Sequence, residues 1–167
     1  MRIEFTTLQG QKPGAILSLL DQAYAQALKE DPALWVPERS KWVEYDREVF
    51  ENPDTVGAAL FLTRMDGKLA GFGSWDPRGR PLLARVGFNC ILPEFRGRGL
   101  GQAQLREILR RLREMGVQTV QVRTLDVPFF GPARRMYEAC GFHEIGRTPW
   151  PRSNTHNLVD YEIQLAG

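Results

Sequence analysis

The sequence is short of the residues that commonly build metal sites and disulfides. Its 167 residues contain two cysteines, Cys90 and Cys140, and two histidines, His143 and His156. Their spacings match no zinc-binding pattern, and the chain begins without the apolar core of a secretory signal. We therefore expect no metal ion, reduced thiols and a cytoplasmic location.

Two further absences limit the class of protein. The net charge is only +2, and no run of about 18 apolar residues is present to span a bilayer. The basic segment 99–115 has no interleaved aromatic side chains, so we expect neither nucleic acid nor membrane as a partner. With 43% apolar and 25% charged residues the composition is globular. We expect one domain over residues 1–167, with no repeat or linker.

Apolar periodicity predicts a mixed fold of the α/β (α+β) class. The predicted strands cover residues 2–8, 58–65, 68–75, 82–93, 117–124, 142–148 and 156–165. The predicted helices cover residues 13–28, 39–52, 99–115 and 131–140.

Local signals indicate how these elements connect. Asp66-Gly67 predicts a tight hairpin turn, and Pro32 and Pro37 predict a break between the first two helices. The helix at 99–115 links two strands that should run parallel. We expect a mixed, mostly antiparallel seven-stranded sheet flanked by about four helices.

One turn combines backbone freedom with positive charge: "PEFRGRGLGQ", residues 93–102. It leaves a strand and opens a helix, where unpaired main-chain amides and the helix dipole favour an anion. Residues 95–115 carry six arginines and two glutamates, a local charge of +4. The segment lacks the Gly-Lys-Ser/Thr of a Walker A loop and the glycine spacing of a dinucleotide fingerprint. Phosphate is the expected guest, although a plain structural turn is the alternative.

Two blocks carry a resemblance to a known family. "ILPEFRGRGLG" resembles the Arg/Gln-x-x-Gly-x-Gly/Ala signature of the GCN5-related N-acetyltransferase (GNAT) superfamily, with Arg96, Gly99 and Gly101 in place. "ARRMYEACGF" resembles its Ala-x-x-x-Tyr-x-x-x-Gly-Phe segment. The matching residues of that block are Ala133, Tyr137, Gly141 and Phe142. The element order agrees with the family along essentially the whole chain.

The resemblance implies an acetyl-CoA-dependent N-acetyltransferase that moves the acetyl group to a primary amine by direct attack in a ternary complex. The strands at 82–93 and 117–124 would splay apart to admit the acyl group. Tyr137 would protonate the departing sulfur, although a packing role on a short helix is its alternative. The residues implied to bind acetyl-CoA are Asn89, Cys90, Ile91, Arg96, Gly97, Arg98, Gly99, Leu100, Gly101 and Gln102.

The general base is left open by the sequence. Many relatives carry a glutamate on the strand before the glycine turn, but "ARVGFNCIL" has no carboxylate. The candidates on loops or element ends are Asp76, Asp126, Glu44, Glu48 and His156, and a chain of waters is a further option. Phe130 replaces a cofactor-binding asparagine of the family. A non-catalytic acyl-CoA sensor or scaffold is therefore the alternative function, and Cys90 as a transient acyl carrier is an alternative route.

The acceptor is expected to be a small amine or a peptide amine. Residues 30–54 hold eight acidic and three basic side chains, a balance of −5, which favours a cationic amine unless the acids form a solvated helix face. Trp35, Trp42 and Tyr45 in this segment would line a pocket or fill core. Trp150, in a proline-marked loop, suggests a lid or a homodimer contact.

Overall fold

The computed structural model describes residues 1–165, without the side chain of Arg80. Its helices are α1 (Ala15–Ala23), α2 (Ala25–Glu30), α3 (Pro32–Glu51), α4 (Leu100–Glu114) and α5 (Gly131–Ala139). Its strands are β1 (Ile3–Thr6), β2 (Leu60–Met65), β3 (Lys68–Arg80), β4 (Leu83–Val86), β5 (Cys90–Ile91), β6 (Thr119–Leu125), β7 (His143–Pro149) and β8 (Asn157–Gln164). The mixed, mostly antiparallel fold class is confirmed, with strand order β1-β2-β3-β4-β6-β8-β7 and β5 paired to β3.

The chain divides into two compact units, one formed by Met1–Pro77 with Phe88–Leu100 and the other by Arg78–Gly87 with Gly101–Gly167. In the first unit, β1, β2 and β3 pair in antiparallel order, and β5 adds to β3. The predicted hairpin between β2 and β3 is confirmed. Asp66 and Gly67 both have positive φ, 51° and 81°, as a type I′ turn requires.

The second unit contains the predicted crossover. Strands β4 and β6 pair in parallel, and β6, β8 and β7 continue in antiparallel order. Helix α4 lies between β4 and β6 in sequence and ends before Gly116, whose φ of 85° is the left-handed cap conformation.

The expectation of one continuous strand over 82–93 is wrong. Its first half forms β4, which pairs with β6, whereas its second half forms β5, which pairs with β3. The β4–β6 ladder stops at Arg85 and Gln121, although β6 continues to Leu125. Two different partners therefore divide the segment, and this raises the strand count from the expected seven to eight.

Helix α3 is longer than its prolines predict. The predicted break between helices occurs before Pro32, where α2 ends at Glu30 and α3 begins, but the expected break at Pro37 is wrong. Asp31 caps the helix by accepting from the Leu34 amide at 3.3 Å, and Pro32 occupies the first helical position, where a missing N–H is tolerated. The helix buries three apolar side chains spaced by seven residues: Trp35, Trp42 and Val49. This packing offsets the cost of Pro37 inside the helix.

The N-terminus of α1 is capped by a side chain from α3. Gly14 precedes α1 and offers no capping side chain. The Asp46 carboxylate instead accepts from the amides of Gly14 at 2.8 Å, Ile16 at 3.0 Å and Leu17 at 3.0 Å. Buried Asp46 thus fixes α1 against α3, and its charge does not belong to the acidic face expected over residues 30–54.

Within residues 1–165, no helix combines the length and the apolar character needed to cross a membrane. The same residues contain no group of three or more His, Cys, Asp or Glu side chains placed to hold a metal ion. Cys90 and Cys140 are both free thiols.

Candidate active site

The glycine turn is exposed, and two of its glycines adopt the left-handed backbone conformation. Gly97 and Gly99 have φ values of 75° and 78°, which favour glycine. A Cβ built on either residue would meet no atom within 4 Å. In the described part of the chain, neither of their main-chain amides donates a hydrogen bond to a protein group. The backbone angle, and not crowding, therefore requires glycine at both positions.

Helix α4 presents an uncompensated positive end at this turn. It begins at Leu100, which is buried, and its first turn has no acidic residue. The first amides of a helix lack intrahelical partners, and the helix dipole places partial positive charge beside them. Gln102 in this first turn is tied to Arg106 by a 3.4 Å hydrogen bond. The arrangement can bind an anion such as a diphosphate.

The two arginines of the turn lie in different environments. The Arg96 guanidinium donates to the carbonyl oxygens of Ala23 at 2.7 Å and Ile91 at 3.1 Å. It therefore ties the turn to the last residue of α1 and to β5. Arg98 is exposed, and its guanidinium nitrogen is 4.0 Å from the Met65 sulfur. Of the two side chains, Arg98 is held by the weaker protein contact.

Gly101 has a packing role that the sequence did not indicate. A Cβ at this position would lie 2.9 Å from the sulfur of Met136 on α5. Glycine at 101 therefore allows α4 and α5 to approach each other. Substitution here would disturb helix packing as well as the turn.

Of Asn89, Cys90 and Ile91, the last two form β5 and pair with β3. Cys90 and Ile91 pair with Phe72 and Gly71, and a Cβ at Gly71 would lie only 2.0 Å from the Cys90 carbonyl oxygen. Glycine at 71 therefore permits β5 to pair. Burial raises the pKa of the Cys90 thiol to about 12, against smaller opposing effects of a Phe72 backbone hydrogen bond and the Arg96 charge. A thiol with this pKa is a poor nucleophile at neutral pH.

Tyr137 lies on α5 and is 5% exposed. Its ring packs at 5.8 Å from Phe142 and 5.9 Å from Tyr161, measured between centroids. The Arg134 guanidinium donates to the Leu125 and Val127 carbonyls and so fixes the start of the helix. The aromatic packing proposed as an alternative is present, and the acid role stays a prediction.

Of the candidate bases, Asp126 has a structural role in the second unit, because its carboxylate is hydrogen-bonded to Asn157. Its carboxylate accepts from the Asn157 amide at 2.8 Å and from its side chain at 3.0 Å. Arg147 lies 3.6 Å away and the His156 Nδ1 lies 3.5 Å away. The Asn157 backbone hydrogen bond is the main cause that lowers the Asp126 pKa, so Asp126 is a weak proton acceptor.

Three of the eight acids of the expected acidic face form ion pairs along α3. Arg47 bridges Glu44 and Glu51, and Lys41 lies 3.0 Å from Glu38. Asp46 is buried against α1. These ion pairs do not change the balance of −5, which already counts the basic partners, but buried Asp46 does not contribute its charge to an exposed acidic face.

The sequence did not single out Tyr45 as a polar group. Its hydroxyl oxygen is buried and has no hydrogen-bond partner of good geometry among the described residues. Its ring stacks on Phe72 at 6.3 Å and packs on Phe88 at 5.1 Å. Burial is the main cause that raises its pKa far above the ordinary value; the Ser74 side chain opposes this increase, and the charges of Glu48 and Asp76 add to it. The i, i+3 spacing of Tyr45 and Glu48 on α3 was the available signal.

The fold and the glycine turn together indicate the class of protein. A mostly antiparallel sheet has one parallel crossover, and the crossover helix begins at an exposed glycine turn. This is the arrangement implied by the resemblance to acetyltransferases.

The comparisons identify the family. The model of the acetyltransferase (GNAT) family matches residues 19–142, which is most of the chain. The chain belongs to this family.

Relatives agree at the level of the fold. A structure from Desulfovibrio desulfuricans, assigned to the GNAT acetyltransferases, is 18% identical with a TM-score of 0.78, covering 99% of this chain and 100% of that one. A Salmonella typhimurium structure, assigned as an acetyltransferase and solved with its cofactor acetyl-CoA, is 16% identical with a TM-score of 0.64, covering 99% and 94%. At these identities the likeness shows the fold alone.

A curated relative matches over a shorter segment. The ribosomal protein bS18-alanine N-acetyltransferase of Haemophilus influenzae is 35% identical over 74 residues, which is 42% of this chain and 49% of that protein. The match therefore spans about half the length of this relative.

Proposed function

We propose that this protein is an acetyl-CoA-dependent N-acetyltransferase that acts on a primary amine by direct attack in a ternary complex. The observation that carries the proposal is the exposed glycine turn, where the amides of Gly97 and Gly99 donate to no protein group in the described part of the chain. Membership of the GNAT family supports it. Residues 1–167 would act as one domain in the cytoplasm.

The residues of the turn suit a diphosphate. The amides from Gly97 to Gln102, together with Arg98, would hold its charge, while Arg96 keeps the turn in place through its two carbonyl contacts. The backbone of Asn89, Cys90 and Ile91 would pair with the amides of the pantetheine arm, in the manner of an added strand.

The chemistry requires one bond to form and one to break. Acetyl-CoA, when bound, supplies an acetyl thioester. The amine nitrogen attacks its carbonyl carbon, the new N–C bond forms and the C–S bond breaks. Tyr137 gives its hydroxyl proton to the departing thiolate, and solvent water takes the proton that the amine nitrogen loses. A proton from solvent then returns to the Tyr137 oxygen. The high pKa of Cys90 supports direct attack over an acyl-enzyme.

Release of the free CoA thiol, measured with a panel of primary amines, tests this function. We expect amine-dependent release, and Tyr137→Phe should lower kcat by about a hundredfold while acetyl-CoA still binds. Tyr161→Phe is the matched control, because it removes a hydroxyl from the neighbouring ring, one that donates to Glu138. This control should retain kcat within about threefold.

Two results would count against the proposal. Binding of acetyl-CoA without any amine-dependent thiol release would make the protein a non-catalytic acyl-CoA sensor or scaffold. An unchanged kcat in Tyr137→Phe would remove the acid role from that residue and leave the transferase reaction intact.

A further inference from the structure

An aspartate–histidine pair lies at the end of β6. Asp126 follows the last residue of β6, and His156 precedes the first residue of β8. The His156 Nδ1 is 3.5 Å from the Asp126 Oδ1. The main chain is held at both residues, because the Asp126 amide donates to the Asn157 carbonyl at 3.1 Å and the His156 carbonyl accepts from the Trp150 amide at 3.0 Å. Both side chains therefore start from anchored backbone.

The two oxygens of the Asp126 carboxylate have different neighbours. Oδ1, which the imidazole approaches, accepts from the Asn157 amide, whereas Oδ2 accepts from the Asn157 side chain and lies 3.6 Å from Arg147. Glu144 lies 2.8 Å from the same arginine, so the Arg147 charge is shared between two carboxylates. The Asn157 backbone hydrogen bond is the main cause that lowers the Asp126 pKa. The group beside His156 is therefore a carboxylate at neutral pH.

A carboxylate beside Nδ1 sets the tautomer of the imidazole. It favours the form with the proton on Nδ1, which leaves the lone pair of Nε2 to accept a proton. The His156 side chain is 34% exposed, and among the residues that the structure describes its ring nitrogens have no partner other than Asp126. The separation of 3.5 Å suits a base in the free protein, since such contacts are commonly long there and shorten when substrate binds.

Helix α5 relates this pair to Tyr137. The Arg134 guanidinium donates to the carbonyls of Leu125 and Val127, which flank Asp126, so the first turn of α5 lies beside the pair. Tyr137 follows Arg134 by three residues, about 4.5 Å along the axis and on the same side of the helix. Helical side chains tilt toward the N-terminus of their helix, so Tyr137 leans back toward the end at which Asp126 lies.

We propose that His156 is the general base of the transferase and that Asp126 is its positioning residue; this inference rests on the proposed function. As the new N–C bond forms, the His156 Nε2 takes one proton from the attacking nitrogen. The Asp126 carboxylate stabilises the resulting imidazolium without taking the proton itself. His156 then releases the proton to solvent water, which is its destination in the proposed function.

Variants of the two histidines test the base. An imidazole base gives kcat/KM a limb that rises between about pH 5 and pH 8. His156→Gln should remove this limb and lower kcat at pH 7 by about a hundredfold, with KM for acetyl-CoA unchanged. His143→Gln is the matched control, because His143 is exposed on β7. The control should keep the limb and retain kcat within about threefold.

Rescue by a small base separates catalysis from structure. His156→Ala leaves room for imidazole from solution, which should raise the rate of this variant by at least about tenfold. The same concentration of imidazole should not raise the rate of Tyr137→Phe. A slow His156→Ala variant that imidazole does not rescue would show that His156 is structural and would overturn the base.

The tautomer gives a measurement that does not depend on turnover. Nitrogen NMR spectra identify which ring nitrogen of a neutral imidazole carries the proton. His156 should carry it on Nδ1 in the wild type, and Asp126→Asn should move the population toward the Nε2–H form and lower kcat by about tenfold. An Nε2–H tautomer in the wild type would overturn the pairing.

The failure of this inference can be told apart from the failure of the proposed function. Amine-dependent thiol release with the same pH profile in His156→Gln and the wild type would overturn the base and leave the transferase in place. A wild-type protein without amine-dependent thiol release would overturn the proposed function and the base together.

Discussion

At the scale of single residues, glycines with similar positive φ angles have different roles in this protein. Gly97, Gly99 and Gly116 all have φ between 75° and 85°, and a Cβ on any of them would meet open space. Gly99 precedes the N-terminus of α4 and Gly116 follows its C-terminus. Substitutions at Gly99 and Gly116 can therefore be compared. Both place a side chain at a positive φ and should reduce stability, but only the one at Gly99 lies in the glycine turn and should change ligand binding.

We predict that Gly99→Ala weakens CoA binding at least about tenfold, because its methyl group would crowd the turn in which the Gly97 and Gly99 amides donate to no protein group in the described part of the chain. A non-glycine residue at positive φ should also lower the free energy of unfolding by about 1 kcal/mol. Gly116→Ala should show the same loss of stability with unchanged CoA affinity. Urea unfolding and calorimetric titration with CoA measure the two effects, and equal affinity in Gly99→Ala and the wild type would show that the diphosphate binds elsewhere.

Side chains whose roles depend on distant partners were the hardest to predict. Tyr137 and the glycine turn follow from short motifs, so the sequence locates them. Asp46 is indistinguishable in the sequence from the other acids of α3, yet it alone of the residues 44, 46 and 48 is buried against α1. The buried position of the Tyr45 side chain likewise depends on Phe72 and Phe88, which are 27 and 43 positions away.

At the scale of elements, local signals predicted the structure where local chemistry decides it. The hairpin at Asp66-Gly67 and the end of α4 at Gly116 are confirmed, because positive φ values favour those residues. The break predicted at Pro37 is wrong, because burial of Trp35, Trp42 and Val49 outweighs a single lost hydrogen bond. The break between β4 and β5 depends on strand partners that the sequence does not specify.

Helix α4 carries an ion-pair network that should make stability depend on pH. Glu107 accepts from Arg110 at 2.9 Å and from Arg111 at 2.7 Å. The Arg110 hydrogen bond is the main cause that lowers the Glu107 pKa from 4.5 to about 2, with Arg111 adding to it and burial opposing it. Because the folded pKa lies below the unfolded one, the stabilisation is complete above about pH 4.5 and is lost as the pH falls toward 2.

We predict that Glu107→Gln lowers the free energy of unfolding by about 1 kcal/mol at pH 7, and that the difference from the wild type shrinks toward zero near pH 2. Glu114→Gln removes an exposed partner of the same Arg110 and should cost less than about 0.5 kcal/mol. Urea unfolding between pH 2 and pH 7 measures both. A Glu107→Gln difference that does not change with pH would mean that packing, and not the ion pairs, explains the loss.

At the scale of the whole molecule, the small net charge hides a local field. The chain carries +2 overall, but residues 95–115 alone carry +4, and Gly97 to Gln102 of the turn lie within this segment. The affinity for a ligand bound at the turn should come from its phosphates more than from its acyl chain. Salt should weaken the contribution of the phosphates, since the Debye length falls to about 3 Å at 1 M ionic strength.

We therefore predict that acetyl-CoA at about one hundred times its Kd stabilises the folded protein by about 2.7 kcal/mol, which for a chain of this size is a rise in Tm of roughly 5–10 °C. S-acetylpantetheine has the same thioester and lacks the diphosphate, so at equal concentration it should raise Tm by less than about 1 °C. Raising the salt concentration should reduce the acetyl-CoA shift and leave the pantetheine shift unchanged. Equal shifts from the two donors would show that the acyl arm supplies the affinity, and the glycine turn would then be a structural connection without a ligand.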